Sequence, residues 1–374
     1  MNISAGRILT THTGSLPRPA SLTDRHNRPA VRDAVQEVVT QQLAAGVDVI
    51  NDGEMSKASY STYVTERLSG LGGAPVPAPR WGYEDFPEYA RKQWGEGASP
   101  ELSKVTAGSP TCDGPVSYAD RSLVEADIAN LKAANAPGAK DLFMSAASPG
   151  VIAMFMANRY YPSTEDYIAA LADAMKTEYD AIYQAGLVLQ LDCPDLACDW
   201  ARGERRSVAE FRRVIAQRLE ALDYATRDIP AESMRMHLCW GNYEGPHHTD
   251  IPMADIIDLV MRARPMALSF EGANPRHEHE WQVFSDVKLP DGKILVPGVL
   301  DSTTNYIEHP ELVAQRIGRY ADIVGRENVI AGSDCGFGTF SSLVIVEPEI
   351  AWAKLATMAE GARLASARLW GHPS

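Results

Sequence analysis

The sequence lacks any apolar run of about 18 residues, the length a membrane-crossing helix needs, so a spanning segment is excluded. Its first residues, MNISAGRILTTHTGS, have neither the charged nor the apolar region of a secretory leader, and a soluble, cytoplasmic protein is expected. Basic residues are scarce. Lys and Arg number 35 against 49 Asp and Glu, a formal charge of -14 that argues against nucleic acid and anionic membranes as partners. The stretch Arg202-Gly203-Glu204-Arg205-Arg206 is basic but interrupted by Glu, and it reads as a solvated loop. Cysteine is sparse too: Cys112, Cys193, Cys198, Cys239 and Cys335, an odd number spread over 374 residues, read as reduced thiols and not as a disulfide framework. No Gly-rich phosphate loop follows the first strand-like segment, which counts against a doubly wound dinucleotide fold. What is present is a hydrophobic content of 45%, ample for a large core.

Short β-branched runs fall at residues 8–13, 47–51, 142–146, 188–192, 235–239, 267–270, 295–300 and 329–332. Eight strands with helices between them are what a closed parallel barrel needs, so the spacing predicts an α/β fold, a (β/α)8 TIM barrel, with residues 1–374 as a single domain. Helical periodicity marks 29–44, 164–184, 208–227, 253–264 and 311–324, and 347–367 is the closing helix, with Pro29 and Pro348 at helix starts. One interval is irregular. Between the second and third strands lies a long segment, 53–141, that holds the Pro- and Gly-rich LGGAPVPAPRWGYEDFPEY and a strand-like stretch from Gly114 to Tyr118. It is expected to be an excursion over the barrel mouth that covers substrate. Aromatics between Trp81 and Tyr89, with Trp240, are candidates to line that pocket, although such residues more often pack.

Four residues at predicted strand ends carry the side chains that hold zinc: His237, Cys239, Glu271 and Cys335. Alternate residues of a strand share a face, so His237 and Cys239 point the same way and can share one ion. Taken singly, each has a plainer explanation, because a buried Cys is usually a small hydrophobe and a Glu an ion-pair partner. Taken together, they fall at the same ends of separate strands, where barrel enzymes keep their chemistry. Two sulfurs, one imidazole and one carboxylate suit Zn²⁺, and the mixed set points to a reactive ion that holds a substrate thiol as a thiolate.

Polar clusters follow other strands: Thr11 to Pro19 (THTGSLPRP), Asn51-Asp52-Gly53-Glu54, and Leu191-Asp192-Cys193-Pro194-Asp195. From the T-x-x-G-S-x-P motif at Thr11 to Asp334-Cys335-Gly336, nearly the whole chain resembles the catalytic domain of cobalamin-independent methionine synthase and its shorter relatives, including epoxyalkane:coenzyme M transferase. The resemblance implies a (β/α)8 barrel with zinc held by His237, Cys239, Glu271 and Cys335, and a methyl transfer of methionine biosynthesis. It further implies that Ser15, Glu54 and Asp192 contact the amino-acid part of homocysteine. Without the resemblance, Ser15 could cap a turn, and Glu54 and Asp192 could form ion pairs at the barrel mouth.

The chain also departs from the methionine synthases. The amino-terminal half of the long enzymes has no counterpart, Cys193 stands where they have Glu in an Asp-Glu-Pro run, and the segment from Val299 to Asn305 lacks the His they carry after the penultimate strand. Methyltetrahydrofolate is therefore in doubt as the donor. Candidates to supply a proton are His247 and His248 in the loop after the H-x-C pair, His12 near the expected thiol site, and Asp301. His277, His279 and Arg276 follow Glu271 in the same fashion with weaker claims.

Three functions compete. A methionine-synthase-like S-methyltransferase is favoured by Glu54 and Asp192, which suit an ammonium group and repel a sulfonate. An epoxide-opening transferase adding coenzyme M to an epoxyalkane is favoured by the short chain, with Arg18, Lys57 or Arg276 left to meet the sulfonate. A zinc-binding protein without turnover is disfavoured by the complete ligand set. The expected partners are a small thiol and an alkyl donor, and a homo-oligomer is left open.

Overall fold

The computed structural model describes residues 1–76, 84–94, 108–201, 205–341 and 343–371. Trp81, part of the Pro- and Gly-rich stretch and residues 202–204 of the basic loop lie outside the described residues. Eight parallel strands share one sheet: β1 Leu9–Thr10, β2 Val49–Ile50, β3 Asp141–Ala147, β4 Val188–Asp192, β5 Met234–Leu238, β6 Ala267–Phe270, β7 Ile294–Leu300 and β8 Ile330–Ser333. Their order is β1-β8-β7-β6-β5-β4-β3-β2. The two ends meet where Asp48 N–H donates to Thr10 O at 3.1 Å and the Thr11 hydroxyl donates to Val49 O at 2.9 Å, so the sheet is a nearly closed (β/α)8 barrel. Both end strands are shorter than the predicted 8–13 and 47–51, and between them the Asp48 carboxylate accepts from Thr10 N–H at 2.9 Å.

Period-two alternation divides each strand between two environments. Leu189 and Leu191 of β4, Met234, Met236 and Leu238 of β5, and Leu268 and Phe270 of β6 join the main core under the helices. Their neighbours face inward. At the amino ends of the strands Leu9, Ala267, Ile294, Val296 and Ile330 form one small apolar cluster, and Val49, Phe143 and Val188 form another. Two residues further along, the inward positions turn polar: Thr11, Gln190, Arg235 and Ser269 are all buried. The barrel thus has an apolar floor and a polar interior that leads to the carboxyl ends of its strands.

Helix caps account for most of the remaining boundaries. Helix Thr164–Gln184 matches its prediction and is capped by Ser163, whose hydroxyl accepts from Asp166 N. Val208–Ala225 starts at a capping box of Ser207 and Glu210, and Pro310–Val324 and Pro348–Trp370 begin on prolines. The helix expected over 253–264 is instead a 3₁₀ turn, Met253–Asp255, and one α turn, Ile257–Val260, separated by Ile256 at φ −129°. No helix among the described residues is long and apolar enough to cross a membrane.

Within the segment between β2 and β3, Gly73–Val76 pairs antiparallel with Ser109–Thr111. The expected strand from Gly114 to Tyr118 does not form; Tyr118 makes a single bridge to Leu68, and Gly70 packs so closely on Gly114 that a Cβ there would stand 2.5 Å from Gly114 O. A buried ion network ties this segment to the barrel. Arg67 pairs with Asp127 at 2.5 Å and with Glu178 at 3.1 Å, and the Tyr63 and Tyr118 hydroxyls each donate to Glu178 at 2.6 Å.

Candidate functional site

His237, the next-to-last residue of β5, faces inward, and Cys239 lies one residue past the strand. Across the barrel Cys335 follows β8, and the three side chains converge with all their donor atoms within 4.8 Å of one another. Cys335 Sγ lies 3.1 Å from Cys239 Sγ, 3.7 Å from His237 Nε2 and 3.9 Å from Glu271 Oε1. Both cysteines are free thiols.

One backbone and one side-chain donor orient the fourth residue. Glu271 Oε1 accepts from Trp240 N at 2.7 Å and Oε2 from Asn274 Nδ2 at 3.0 Å, so the carboxylate is tied to the segment that carries Cys239. Asp334, the first residue of the Asp-Cys-Gly motif, accepts from Gly272 N and Ala273 N, each at 2.8 Å, which fixes the turn after Glu271. Ser302 Oγ accepts from Cys335 N at 3.2 Å and donates to Asn242 Oδ1 at 2.9 Å; Asn242 in turn donates to Gly336 O at 2.8 Å. Asp334, Ser302 and Asn242 had no role assigned to them from sequence. Asp334 alone carried a signal, as a member of the motif.

The electrostatics of these four residues favour protons on sulfur. Burial drives the His237 imidazole down to about 3, so it is neutral and its Nε2 lone pair is free for an ion. The Cys335 contact pulls the Cys239 thiol down, but burial and Glu271 outweigh it and push Cys239 up to about 11. Burial and the neighbouring Cys239 hold Cys335 well above the ordinary thiol range. Two thiols, a neutral imidazole and a carboxylate, all buried, form a donor set that a divalent cation satisfies by displacing the thiol protons, so the residues fit zinc.

Asp192 is the register partner of His237 on the adjacent strand. Burial and the nearby Glu54 carboxylate raise Asp192 to about 8. Glu54 is held at φ +60°, a left-handed conformation, and accepts from Ser145 Oγ at 2.5 Å. Lys57 is buried and donates to Ser145 O at 2.6 Å and Ser145 Oγ at 3.1 Å while lying 4.5 Å over the Tyr63 ring. Gly14 backs onto Glu54, where a Cβ would stand 2.7 Å from Oε1. Its neighbour Ser15 packs on the loop of Cys335: Ser15 O accepts from Phe337 N at 2.8 Å, and a Cβ on Gly336 would stand 2.0 Å from Ser15 Oγ. Ser15, Glu54 and Asp192 are therefore joined to His237 and Cys335 through adjacent strands and loops.

The proton-donor candidates lie in different settings. His247 Nδ1 faces Asp250 at 2.6 Å and Nε2 faces Tyr243 O at 3.1 Å, so both nitrogens are engaged. His277 lies between Asp250 at 3.1 Å and Glu280 at 2.8 Å and stacks on Trp240 with centroids 4.2 Å apart. His248, partly exposed, meets Asp85 at 2.9 Å and the edge of Phe86. His12 is buried against Gln42 Oε1 at 2.8 Å and the Phe143 ring, and burial drives it down to about 3. Asp301 caps its own turn, accepting from Thr303 N and the Thr303 and Thr304 hydroxyls. Of the weaker candidates, the Arg276 guanidinium donates to His248 O at 3.1 Å, and His279 lies in a 3₁₀ turn, Glu278–Gln282.

Comparison with known proteins finds relatives that match nearly the whole chain. The chain is 25% identical over 369 residues to the methionine synthase of Sulfurisphaera tokodaii, covering 95% of this chain and 91% of that protein. It is 26% identical over 395 residues to the 2-hydroxypropyl-CoM lyase of Xanthobacter autotrophicus, covering 96% and 90%. Among solved structures, a B12-independent methionine synthase from Shewanella sp. W3-18-1 in complex with selenomethionine superposes with a TM-score of 0.74 at 19% identity, covering 98% of this chain and 99% of that one. No protein-family model matches the sequence.

Proposed function

We propose that this chain, similar along nearly its whole length to methionine synthases and to a 2-hydroxypropyl-CoM lyase, transfers an alkyl group to a small thiol bound with zinc at His237, Cys239, Glu271 and Cys335. The observation that carries the reading is the convergence of His237, Cys239 and Cys335, with Asp192 directly beside His237 on the next strand. Bound there, Zn²⁺ supplies the positive charge that lets a thiol lose its proton at neutral pH while its sulfur stays nucleophilic.

The remaining tasks fall to the protein. Glu54 and Asp192 receive the ammonium group of an amino thiol, homocysteine in the first reading, and Ser15 holds its carboxylate end. This fixes the sulfur in line with the alkyl carbon. The sulfur electron pair forms the new S–C bond as the bond from that carbon to its leaving group breaks, and the leaving group takes up a proton. His248 is the acid we favour, since its ring is partly exposed and its Nδ1, itself buried, has no partner among the described residues. The partners are small molecules, and a reducing cytoplasm suits the five free cysteines.

A second reading rests on the likeness to the lyase, which equals that to the synthases. There the thiol is coenzyme M, the carbon belongs to an epoxide, the C–O bond breaks, and the alkoxide takes the proton. Lys57 is the buried cation that would meet its sulfonate. Cobalt-substituted protein separates the two. Homocysteine is expected to change the visible spectrum at lower concentration than coenzyme M; the reverse order transfers the assignment to the second reading, and no change with either thiol rejects both.

A further inference from the structure

Beneath the proposed thiol site, the barrel interior holds a cation without an anion. Arg235 is buried in β5, and its guanidinium forms no ion pair among the described residues. Its three hydrogen bonds go to neutral acceptors: Nε to Gln190 Oε1 at 2.6 Å, one terminal nitrogen to Thr11 Oγ1 at 2.8 Å, and the other to His12 O at 2.5 Å. The Phe143 ring lies 3.9 Å below the guanidinium carbon. Gln190, equally buried, uses its amide nitrogen on the other side, donating to Asp192 Oδ1 at 2.8 Å and to Thr13 O.

Donor and acceptor chemistry fixes this amide in one orientation. A guanidinium can only donate, so Gln190 must turn its oxygen to Arg235; a backbone carbonyl can only accept, so Gln190 must turn its nitrogen to Thr13 and Asp192. A flip would set like groups against each other on both sides at once. Asp192 consequently has Oδ1 held from below, by a donor that cannot rotate away, which leaves Oδ2 for a ligand.

We propose that Gln190, locked by Arg235, is a positioning residue that presents Asp192 to the ammonium group of the substrate and so sets selectivity for amino thiols over thiols without an amine. The proposal rests on the reading of Asp192 given above. Gln190 acts through Asp192 and touches neither the thiol nor the alkyl donor.

The test substitutes Gln190→Glu, which keeps an acceptor for Arg235 but removes the donor to Asp192 and sets a second carboxylate against it. Gln190→Met, close in volume and without polar atoms, is the second variant should the first fail to fold. Binding of homocysteine and of 4-mercaptobutyrate, the same thiol without its amine, is measured on zinc-loaded protein, with bound zinc measured alongside. The expected result is a loss of about tenfold or more for homocysteine, little change for 4-mercaptobutyrate, and unchanged zinc. In an Asp192→Asn background the same substitution should add almost nothing, because the two residues act in series. Equal weakening of both thiols, or a full further loss in the Asp192→Asn background, overturns the proposal by making Gln190 a general structural residue. A wild-type protein that binds the two thiols equally is a different failure: the reading of Asp192 is then wrong, and this inference falls with it.

Discussion

Gly298 of β7 lies directly under Asp334: a Cβ at position 298 would stand 1.9 Å from Asp334 Oδ1, the oxygen that holds the Gly272 and Ala273 amides after Glu271. A single missing methyl group therefore lets β7 and β8 approach closely enough to fix the Glu271 turn. Gly298→Ala should displace Asp334, strand two buried amides and lower stability by about 2 kcal/mol or more. Zinc retention should fall as well, although no proposed ligand is altered. Gly318→Ala, in an open position of helix Pro310–Val324, is the control, where a Cβ meets nothing within 4 Å. Melting temperature and metal content of the two variants check this, and equal values for both would reject the coupling.

Purified protein should carry about one zinc per chain, and Cys239→Ser or Cys335→Ser should remove most of it. A second cluster, His247, Asp250 and His277, also brings three donor groups together. There, however, every ring nitrogen already faces a carboxylate or a carbonyl, so protons satisfy the cluster without an ion. His247→Gln should leave the zinc content unchanged. Atomic absorption showing two zincs per chain in the wild type, or stoichiometric zinc in both cysteine variants, would contradict the assignment.

How far the sequence revealed this site depends on the kind of residue. Strand ends were readable because inward positions run from apolar to polar at period two, as in Val188, Gln190 and Asp192, and this pattern marks both the barrel and its chemical face. His237 and Cys239 were legible for the same reason. Ser302, Asn242 and Gln190 were not, since their meaning lies in hydrogen bonds between loops or strands far apart in the chain. The Gly114 to Tyr118 segment misled because its alternation resembles that of a strand, whereas close packing of Gly70 on Gly114 bends the chain away from a ladder. The 253–264 segment misled because helical periodicity does not report the break at Ile256.

The buried histidines also give stability a pH dependence. Burial pulls His277 down, but its bonds to Asp250 and Glu280 outweigh this and raise it from 6.5 to about 10. A group raised in the folded state contributes fully below its unfolded value and loses that contribution as pH rises through the folded one. The wild type should therefore be more stable than His277→Gln near pH 6, with the gap closing between about pH 6.5 and 10. Asp250, lowered in spite of burial by its bonds to His247 and His277, sets the acid side: its contribution is present above 3.8 and is lost as pH falls through its folded value. Denaturant titrations at pH 6 and pH 9.5 read the gap directly, and a gap of constant size would mean that His277 is neutral in the fold.

The thiol itself is decided by the charge on Asp192. If Glu54 and Asp192 receive an ammonium group, the bound cation draws Asp192, raised to about 8 in its absence, into its ionised form, and Asp192→Asn removes that charged partner at a cost on the order of 2 to 3 kcal/mol, or roughly 30- to 150-fold in homocysteine affinity. A thiol without an amine should be affected far less. Above about pH 8, where Asp192 is ionised, a sulfonate responds with the opposite sign, because Asp192 and Glu54 repel it and the substitution removes one of those charges while leaving Lys57 in place. Competitive titration of wild type and Asp192→Asn with homocysteine and coenzyme M therefore gives two distinct patterns. A wild type that prefers homocysteine, with a variant that has lost the preference, supports the methionine-synthase reading. A wild type that prefers coenzyme M, with a variant that binds coenzyme M itself more tightly, makes the epoxide-opening transfer the function of the site, because an ammonium-binding role for Asp192 lowers the affinity for homocysteine and does not raise that for coenzyme M.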